Sequence, residues 1–189
     1  VPTANPYQVS SWIGGRYCST QRYSGEGANA NWTDTGTPGT PLLVKWDDSN
    51  SLPSERDAYY SVNRVHRWLK DHDPIFTSLD FPLTTVVNRT NGTCNAYWNG
   101  SSINFYKEGG GCVNMATISD VVMHEYGHGI TQYTYSPDPS PTSSGMGEAL
   151  SDIVAQTITN DRLIGRGWNG GSSFIRDGAN TRQYPGTSC

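Results

Sequence analysis

The sequence is poor in basic residues and has no long hydrophobic run. Its 13 lysines and arginines are outnumbered by 17 aspartates and glutamates, whereas nucleic-acid binding requires clustered basic side chains. No stretch comes near the roughly 18 consecutive apolar residues of a transmembrane helix, so a membrane span is excluded. Only 34% of the residues are hydrophobic, and 21 glycines with 11 prolines predict many turns and loops.

Four cysteines and four N-glycosylation patterns are the main indicators of the cellular compartment. The patterns begin at Asn31, Asn88, Asn91 and Asn99. Together with the low lysine content, they favour an oxidising, extracellular setting. The N-terminus has no basic and apolar signal segment, so we expect an exported protein to be present here in its processed form.

The first part of the chain predicts a β-rich region followed by a helix. Residues 1–50 are rich in small polar side chains, and residues 42–46 have the strongest strand pattern among them. Ser54 then matches a helix N-cap, with Asp57 as its capping-box partner. Apolar residues follow at helical spacing, namely Ala58, Val62, Val65 and Leu69. The pattern predicts a helix with one buried face that continues to about Lys70.

Residues 93–107 have the pattern of a β-hairpin, because Asn99-Gly100 is a strong turn signal between two short apolar stretches. Cys94 and Cys112 flank this hairpin. We therefore predict a disulfide that ties its outer ends together.

The two cysteines that remain are Cys18 and Cys189. They would form the second pair, unless Cys189 bonds to a cysteine outside the chain.

A second helix is predicted from Thr117 to about Tyr133, with Asp120 as the capping-box partner of Thr117. Gly127 and Gly129 lie inside it, each costing about 1 kcal/mol relative to alanine. A helix tolerates such glycines where another part of the molecule packs closely against its backbone.

The most informative motif is the pentapeptide from His124 to His128 within this helix. Two histidines four residues apart lie on one helix face, so both imidazoles can bind one metal ion, and Zn²⁺ suits nitrogen ligands. Glu125 would then be the general base for a water molecule activated by zinc. The other two histidines, His66 and His72, are interpreted as packed or surface residues rather than ligands.

A third helix is predicted over residues 147–159, after a proline-rich loop at 136–141. Glu148 and Asp152 share one face of this helix. Glu148 would complete a zinc site of two histidines and one carboxylate with a fourth position open, as in catalytic sites. Asp152 would accept a hydrogen bond from a ligand histidine and fix its tautomer. The alternative, a solvated acidic pair, does not explain their interval after the histidines.

These motifs together resemble the thermolysin-like (gluzincin) zinc metallopeptidases, and the glycines around them are also similar to those of the fungalysins. The resemblance implies an edge strand that binds the substrate backbone, formed by Asn95, Ala96, Tyr97 and Trp98. It implies that Arg176, followed by Asn180 and Tyr184, stabilises the oxyanion near the substrate carbonyl. It also places Asp120 where the family has a calcium ligand, although further calcium-binding carboxylates are not evident and a helix cap is the preferred interpretation.

Two features of that family have no clear counterpart here. Its cleft tyrosine has only Tyr135 as a nearby candidate, and its catalytic histidine belongs to a helical C-terminal lobe. We therefore expect residues 1–135 to form a β-rich lobe that ends in the motif helix, and residues 136–189 to begin an incomplete C-terminal helical lobe. The remainder would come from a further C-terminal lobe or a companion chain.

The predicted fold is thus α+β, with a mostly antiparallel β lobe followed by the helices of the zinc site. The predicted function is that of a secreted zinc endopeptidase acting on peptide or protein substrates. One alternative is a non-catalytic extracellular module with a structural zinc site, but such a module would not need Glu125. Another is a zinc aminopeptidase, although no acidic motif that would bind a free amine is apparent.

Overall fold

The computed structural model describes residues 5–136 and 144–179, which form a mixed α+β fold. The elements are β1 (Tyr7–Trp12), β2 (Cys18–Arg22), β3 (Asn31–Gly36), α1 (Pro53–His72), β4 (Leu83–Arg89), β5 (Ala96–Trp98), β6 (Ser102–Tyr106), α2 (Ser119–Tyr135), α3 (Ser144–Thr159), β7 (Leu163–Ile164) and β8 (Arg176–Asp177). The predicted α+β class is confirmed. None of the helices in the described ranges has both the length and the apolar content needed to cross a membrane.

The central sheet has four strands in the order β2-β4-β6-β5. Both β2–β4 and β4–β6 are parallel, and only β5–β6 is antiparallel. The mostly antiparallel arrangement expected for this lobe therefore does not hold for its main sheet. Strands β2 and β4 are joined through β3 and α1, a connection long enough to return the chain to the same end of the sheet, as a parallel pair requires. The small sheets β1–β3 and β7–β8 are antiparallel.

Helix α1 begins two residues earlier than the sequence predicted. Leu52 is the N-cap and Pro53 occupies the first turn, where its missing N–H costs nothing. The Glu55 carboxylate accepts the Leu52 backbone N–H at 2.9 Å and the Ala30 N–H at 2.9 Å. Ser54 is not the cap, because its hydroxyl donates to Asn88 Oδ1 at 2.9 Å instead.

The apolar face predicted for α1 is confirmed. Ala58, Val62 and Val65 are fully buried, and Leu69 is nearly so. They pack into one core with residues of the central sheet and of α2, including Leu83, Val87, Ile103, Phe105, Met123 and Tyr126. This core joins the sheet to the helix that carries the histidine motif, and so fixes their relative position.

The strand predicted at residues 42–46 is wrong. Residues 41–47 have no regular secondary structure, and Leu43 is 81% exposed. The local apolar pattern is typical of a strand, but a strand also requires a neighbouring strand with which its backbone can form hydrogen bonds.

Helix α2 begins at Ser119, directly after a short 3-10 helix at Met115–Thr117. The predicted capping box is wrong, because the Thr117 hydroxyl donates to the Asn114 carbonyl at 2.7 Å. Asp120 instead accepts the backbone N–H of Gly165 at 3.0 Å. Its carboxylate therefore holds the loop after β7 against the start of α2.

The predicted hairpin and its disulfide are both present. Trp98 lies opposite Ile103, and the connecting turn is stabilised by the Asn99 side chain, which accepts two backbone N–H groups. Cys94 and Cys112 are bonded, with their Cα atoms 5.3 Å apart.

The second predicted cysteine pair and several other predicted features lie partly beyond the described residues. Cys18 is fully buried in β2, and burial raises the pKa of its thiol to about 12. Its predicted partner Cys189 lies outside the described ranges, as do Asn180, Tyr184 and the proline-rich loop from residue 137. The predicted lobe boundary after residue 135 coincides with the end of α2 and stays a prediction.

Candidate active site

Helices α2 and α3 pack against each other at glycine. A Cβ atom on Gly127 would lie 2.8 Å from the Ser151 Cα, closer than side chains and backbone approach in proteins. A Cβ on Gly129 would lie 3.4 Å from the Trp98 ring. The interpretation as a close-packing position is therefore confirmed for Gly127, whereas a Cβ atom on Gly129 would make an ordinary contact. The packing brings α3 and the hairpin next to the histidine motif.

The three predicted metal ligands converge at this junction. The Nε2 atom of His124 lies 3.1 Å from one Glu148 oxygen, and the Nε2 atom of His128 lies 3.3 Å from the other. All three potential ligand atoms are within 4.8 Å of one another. Two imidazole nitrogens and a carboxylate are a donor set that fits Zn²⁺.

Asp152 lies behind the first of these histidines, as predicted. Its Oδ1 atom is 2.7 Å from His124 Nδ1, which leaves Nε2 directed at the ligand cluster. Arg176 binds the same carboxylate with two groups, at 2.7 Å through Nε and 2.8 Å through Nη2. Its Nη2 is also 3.7 Å from Glu148. Arg176 and Asp152 therefore form one bidentate pair at the edge of the cluster.

The charges in this cluster stabilise one another. Burial acts to lower the pKa of His124, but hydrogen bonds to Asp152 and Glu148 outweigh it and raise the pKa to about 9. Hydrogen bonds from His124 and His128 lower the pKa of Glu148 far below its ordinary value. The carboxylate is therefore ionised across the physiological range and available to a cation.

Glu125 differs from its neighbours because it is not a member of the ligand group. It is only 6% exposed, and burial raises the pKa of its carboxyl group above the ordinary value. A hydrogen bond with the Trp98 backbone acts in the opposite direction but does not cancel this rise. A carboxylate with a raised pKa beside a metal-binding cluster is suited to accept a proton.

A cleft of about 400 Å³ opens in front of the cluster. Strand β5 and the preceding Asn95 form one wall of it, and Arg176 with two apolar side chains, Ile164 and Ile175, contributes to another. The predicted substrate strand, Asn95 to Trp98, is thus brought next to the predicted ligands. Tyr135, the candidate for the cleft tyrosine, is not among the residues that line this cleft and lies at the exposed end of α2.

One contact with the cleft wall was missed in the sequence. Gln132 hydrogen-bonds to the Trp98 indole at 2.7 Å. The available signal was its spacing, because Gln132 follows His128 by four residues and therefore lies on the same face of α2.

The remaining candidate sites are less well supported by the geometry. Asn88 is buried, and its Oδ1 accepts hydrogen bonds from Ser54 and Asn114, so its burial disfavours a glycan at this position. The side chains of the other three candidates, Asn31, Asn91 and Asn99, are exposed. A calcium site at Asp120 gains no support. Among the described residues, the only group of three histidine, cysteine or carboxylate side chains close enough to hold a metal ion is that of His124, His128 and Glu148.

Comparison with known proteins gives a consistent result. The family described as the thermolysin metallopeptidase catalytic domain matches residues 16–132, more than half of the chain. The chain is 31% identical over 130 residues to a neutral protease of Vibrio proteolyticus, covering 68% of this chain and 21% of that protein. It is 30% identical over 163 residues to an extracellular metalloprotease of Pectobacterium carotovorum subsp. carotovorum, covering 80% of this chain and 47% of that protein.

A solved structure shows the same fold. The precursor of protealysin, a metalloproteinase from Serratia proteamaculans, superposes with a TM-score of 0.56 at 24% identity, over 70% of this chain and 45% of the other. The chain spans between about a fifth and a half of the length of the curated relatives. By the extent of the family match, which includes both motif histidines, the chain belongs to the thermolysin metallopeptidase family.

Proposed function

We propose that this chain carries the zinc site and part of the substrate cleft of a secreted zinc endopeptidase. The observation that carries the proposal is the convergence of His124, His128 and Glu148 beside the buried Glu125 in an open cleft. A structural zinc site is closed by four protein ligands, whereas a catalytic site has three and keeps one position free. The three-ligand cluster and the adjacent base therefore favour catalysis.

The ion would be held by Nε2 of each histidine and by the Glu148 carboxylate. When bound, zinc supplies Lewis-acid chemistry, by which it activates water and polarises a carbonyl group. Glu125 accepts the proton of the attacking water and then donates it to the leaving amine. Burial raises the pKa of Glu125 towards neutral pH, and a group with such a pKa can both accept and donate a proton efficiently. Asp152 keeps the His124 ring in the tautomer that presents Nε2.

The substrate would bind as an extended peptide along β5. Within the part of the chain that the structure describes, this strand pairs only with β6, so its other edge can form main-chain hydrogen bonds with a peptide. Arg176 would donate to a substrate carbonyl oxygen, because its guanidinium is oriented by Asp152 and lines the cleft. The site would act together with a further lobe of a longer polypeptide or with a companion chain, and that part would complete the cleft.

Two observations support secretion. The disulfide between Cys94 and Cys112 is typical of proteins from oxidising compartments. One of the relatives is named an extracellular metalloprotease.

The decisive experiment compares Glu125→Gln with Glu108→Gln in the full-length protein. Both variants replace one carboxylate by an amide, but Glu108 is exposed and does not line the cleft. We expect Glu125→Gln to lower kcat on an internally quenched peptide by about 10²–10⁴-fold, with zinc content by mass spectrometry unchanged. Glu108→Gln should retain activity. Full activity in Glu125→Gln, or a zinc-loaded protein with no peptidase activity, would overturn the proposal.

A further inference from the structure

The short strand β5 is held against α2 by a side chain outside the predicted site. We propose that Gln132 is a positioning residue for the substrate, which fixes β5 relative to the metal-binding face of α2. The inference rests on the proposed function, because it assigns a role in binding the peptide that the cleft would receive.

The Gln132 amide makes two hydrogen bonds to the hairpin. Its Oε1 accepts from the Trp98 indole Nε1 at 2.7 Å, and its Nε2 donates to the Gly100 carbonyl at 3.2 Å. One bond reaches the last residue of β5, and the other reaches the turn that follows it. A single planar group therefore fixes both the strand end and the turn.

The position of Gln132 on α2 explains how this contact is linked to the metal cluster. Gln132 follows His128 by four residues and His124 by eight, so the three side chains form one row along the helix. Gly129 lies beside this row, and the Trp98 ring packs over it, 3.4 Å from the position that a Cβ atom would occupy. The Trp98 backbone in turn hydrogen-bonds with Glu125. The strand is thus held by the same helix that carries the motif histidines.

Strand β5 needs such support because it is only three residues long and pairs with one neighbour. Ordering a backbone segment costs conformational entropy, so part of the peptide's binding energy would be used to order a loosely held strand. That cost falls on the bound substrate and on the transition state alike. Loss of the two Gln132 hydrogen bonds therefore raises KM with little change in kcat.

The test compares Gln132→Leu with Gln21→Leu in the full-length, zinc-loaded protein. Gln21 lies exposed on β2 and provides the same chemical change far from the cleft. We expect Gln132→Leu to raise KM for an internally quenched peptide by about tenfold, the equivalent of one or two lost hydrogen bonds. Its kcat should stay within about twofold, and Gln21→Leu should change neither constant. Gln132→Glu keeps the acceptor for Trp98 and should restore part of the loss.

Two further measurements do not depend on turnover. Hydrogen exchange should be faster over residues 96–102 in Gln132→Leu, and the affinity for the same peptide in a Glu125→Gln background should fall by about tenfold. Trp98→Phe removes the other half of the hydrogen bond and should have the same effect on exchange. Unchanged exchange, or lower kcat at unchanged KM, would overturn the inference. A parent protein that neither binds nor cleaves the peptide would instead overturn the proposed function.

Discussion

Two histidine clusters lie on opposite sides of α2 and have opposite chemistry. One contains His124 and its carboxylate partners at the cleft. The other contains His66 of α1, which contacts Tyr126 of α2 through a hydrogen bond of 2.8 Å. His124 and Tyr126 are two residues apart, so they project from nearly opposite faces of the helix. A histidine of α2 that contacts carboxylates therefore lies on one face of this helix, and a buried histidine of α1 packs against the other.

The difference comes from what surrounds each ring. His66 is 1% exposed and stacks on Tyr17 with ring centroids 3.7 Å apart. Burial lowers the pKa of His66 although Asp80 acts to raise it, so the ring is neutral at physiological pH. His124 is also buried, but two carboxylates bind it directly and raise its pKa to about 9. Burial alone thus does not determine the charge of a histidine, and the number of bound carboxylates decides it here.

The comparison is tested most strongly by removing one histidine from each cluster. His128→Gln should lose stoichiometric zinc, because two protein ligands do not replace three. His66→Gln should retain zinc but lower the free energy of unfolding by about 1–3 kcal/mol, through the loss of a buried hydrogen bond. Zinc content after gel filtration with a chelator, together with denaturant unfolding, would check both. Equal zinc loss in the two variants would show that the two clusters are not independent.

The pH dependence of zinc binding should differ from that of a site built on neutral histidines. In the zinc-free protein the pKa of His124 is about 9, and zinc requires the neutral ring. Zinc affinity should therefore rise by up to about tenfold per pH unit between pH 6.5 and 9. The stability of the zinc-free protein should change in the opposite direction, because a raised folded-state pKa stabilises the fold below the unfolded value of about 6.5 and this contribution is lost towards pH 9. Chelator competition and urea unfolding across this range would measure both. A flat affinity profile would contradict the charge assignment.

A smaller effect is expected from the carboxylates that contact each histidine. Asp152→Asn should weaken zinc affinity by about 10–100-fold, because it weakens the hydrogen bond to His124 Nδ1. Asp80→Asn is the matched change in the other cluster, where Asp80 is 3.3 Å from His66 and 3.1 Å from Lys70. It should leave zinc affinity unchanged and reduce stability only. Competition titrations with a chelator of known affinity would separate these outcomes, and weaker zinc binding in Asp80→Asn would contradict the comparison.

The part of the site that could be predicted from the sequence is the part set by helix periodicity. His124 with His128, and Glu148 with Asp152, share helix faces at a spacing of four residues, and the structure brings the four side chains together. Periodicity also predicted the buried face of α1. These patterns need only local geometry, which the order of residues specifies directly.

Three of the errors concern partners that are distant in sequence. Asp120 was predicted to cap its own helix but binds Gly165, 45 residues away. Residues 42–46 had a strand pattern but found no strand to pair with. The parallel pairing of β2 with β4 depends on the path of the chain through α1, which no local pattern contains. In each case several partners were compatible with the local sequence, and long-range packing selected one.

The contact between Gly127 and Ser151 affects the dimensions of the candidate metal site. A methyl group at residue 127 would have to move away from the Ser151 Cα by more than half an ångström to reach ordinary contact distance. Metal–ligand bond lengths tolerate only about 0.2 Å of variation. Glu148 lies on the same helix as Ser151, less than one turn away, so its carboxylate would move with the backbone. The absence of a side chain at Gly127 therefore allows the short distance between the two helices. This distance determines where the Glu148 carboxylate lies relative to the two histidines.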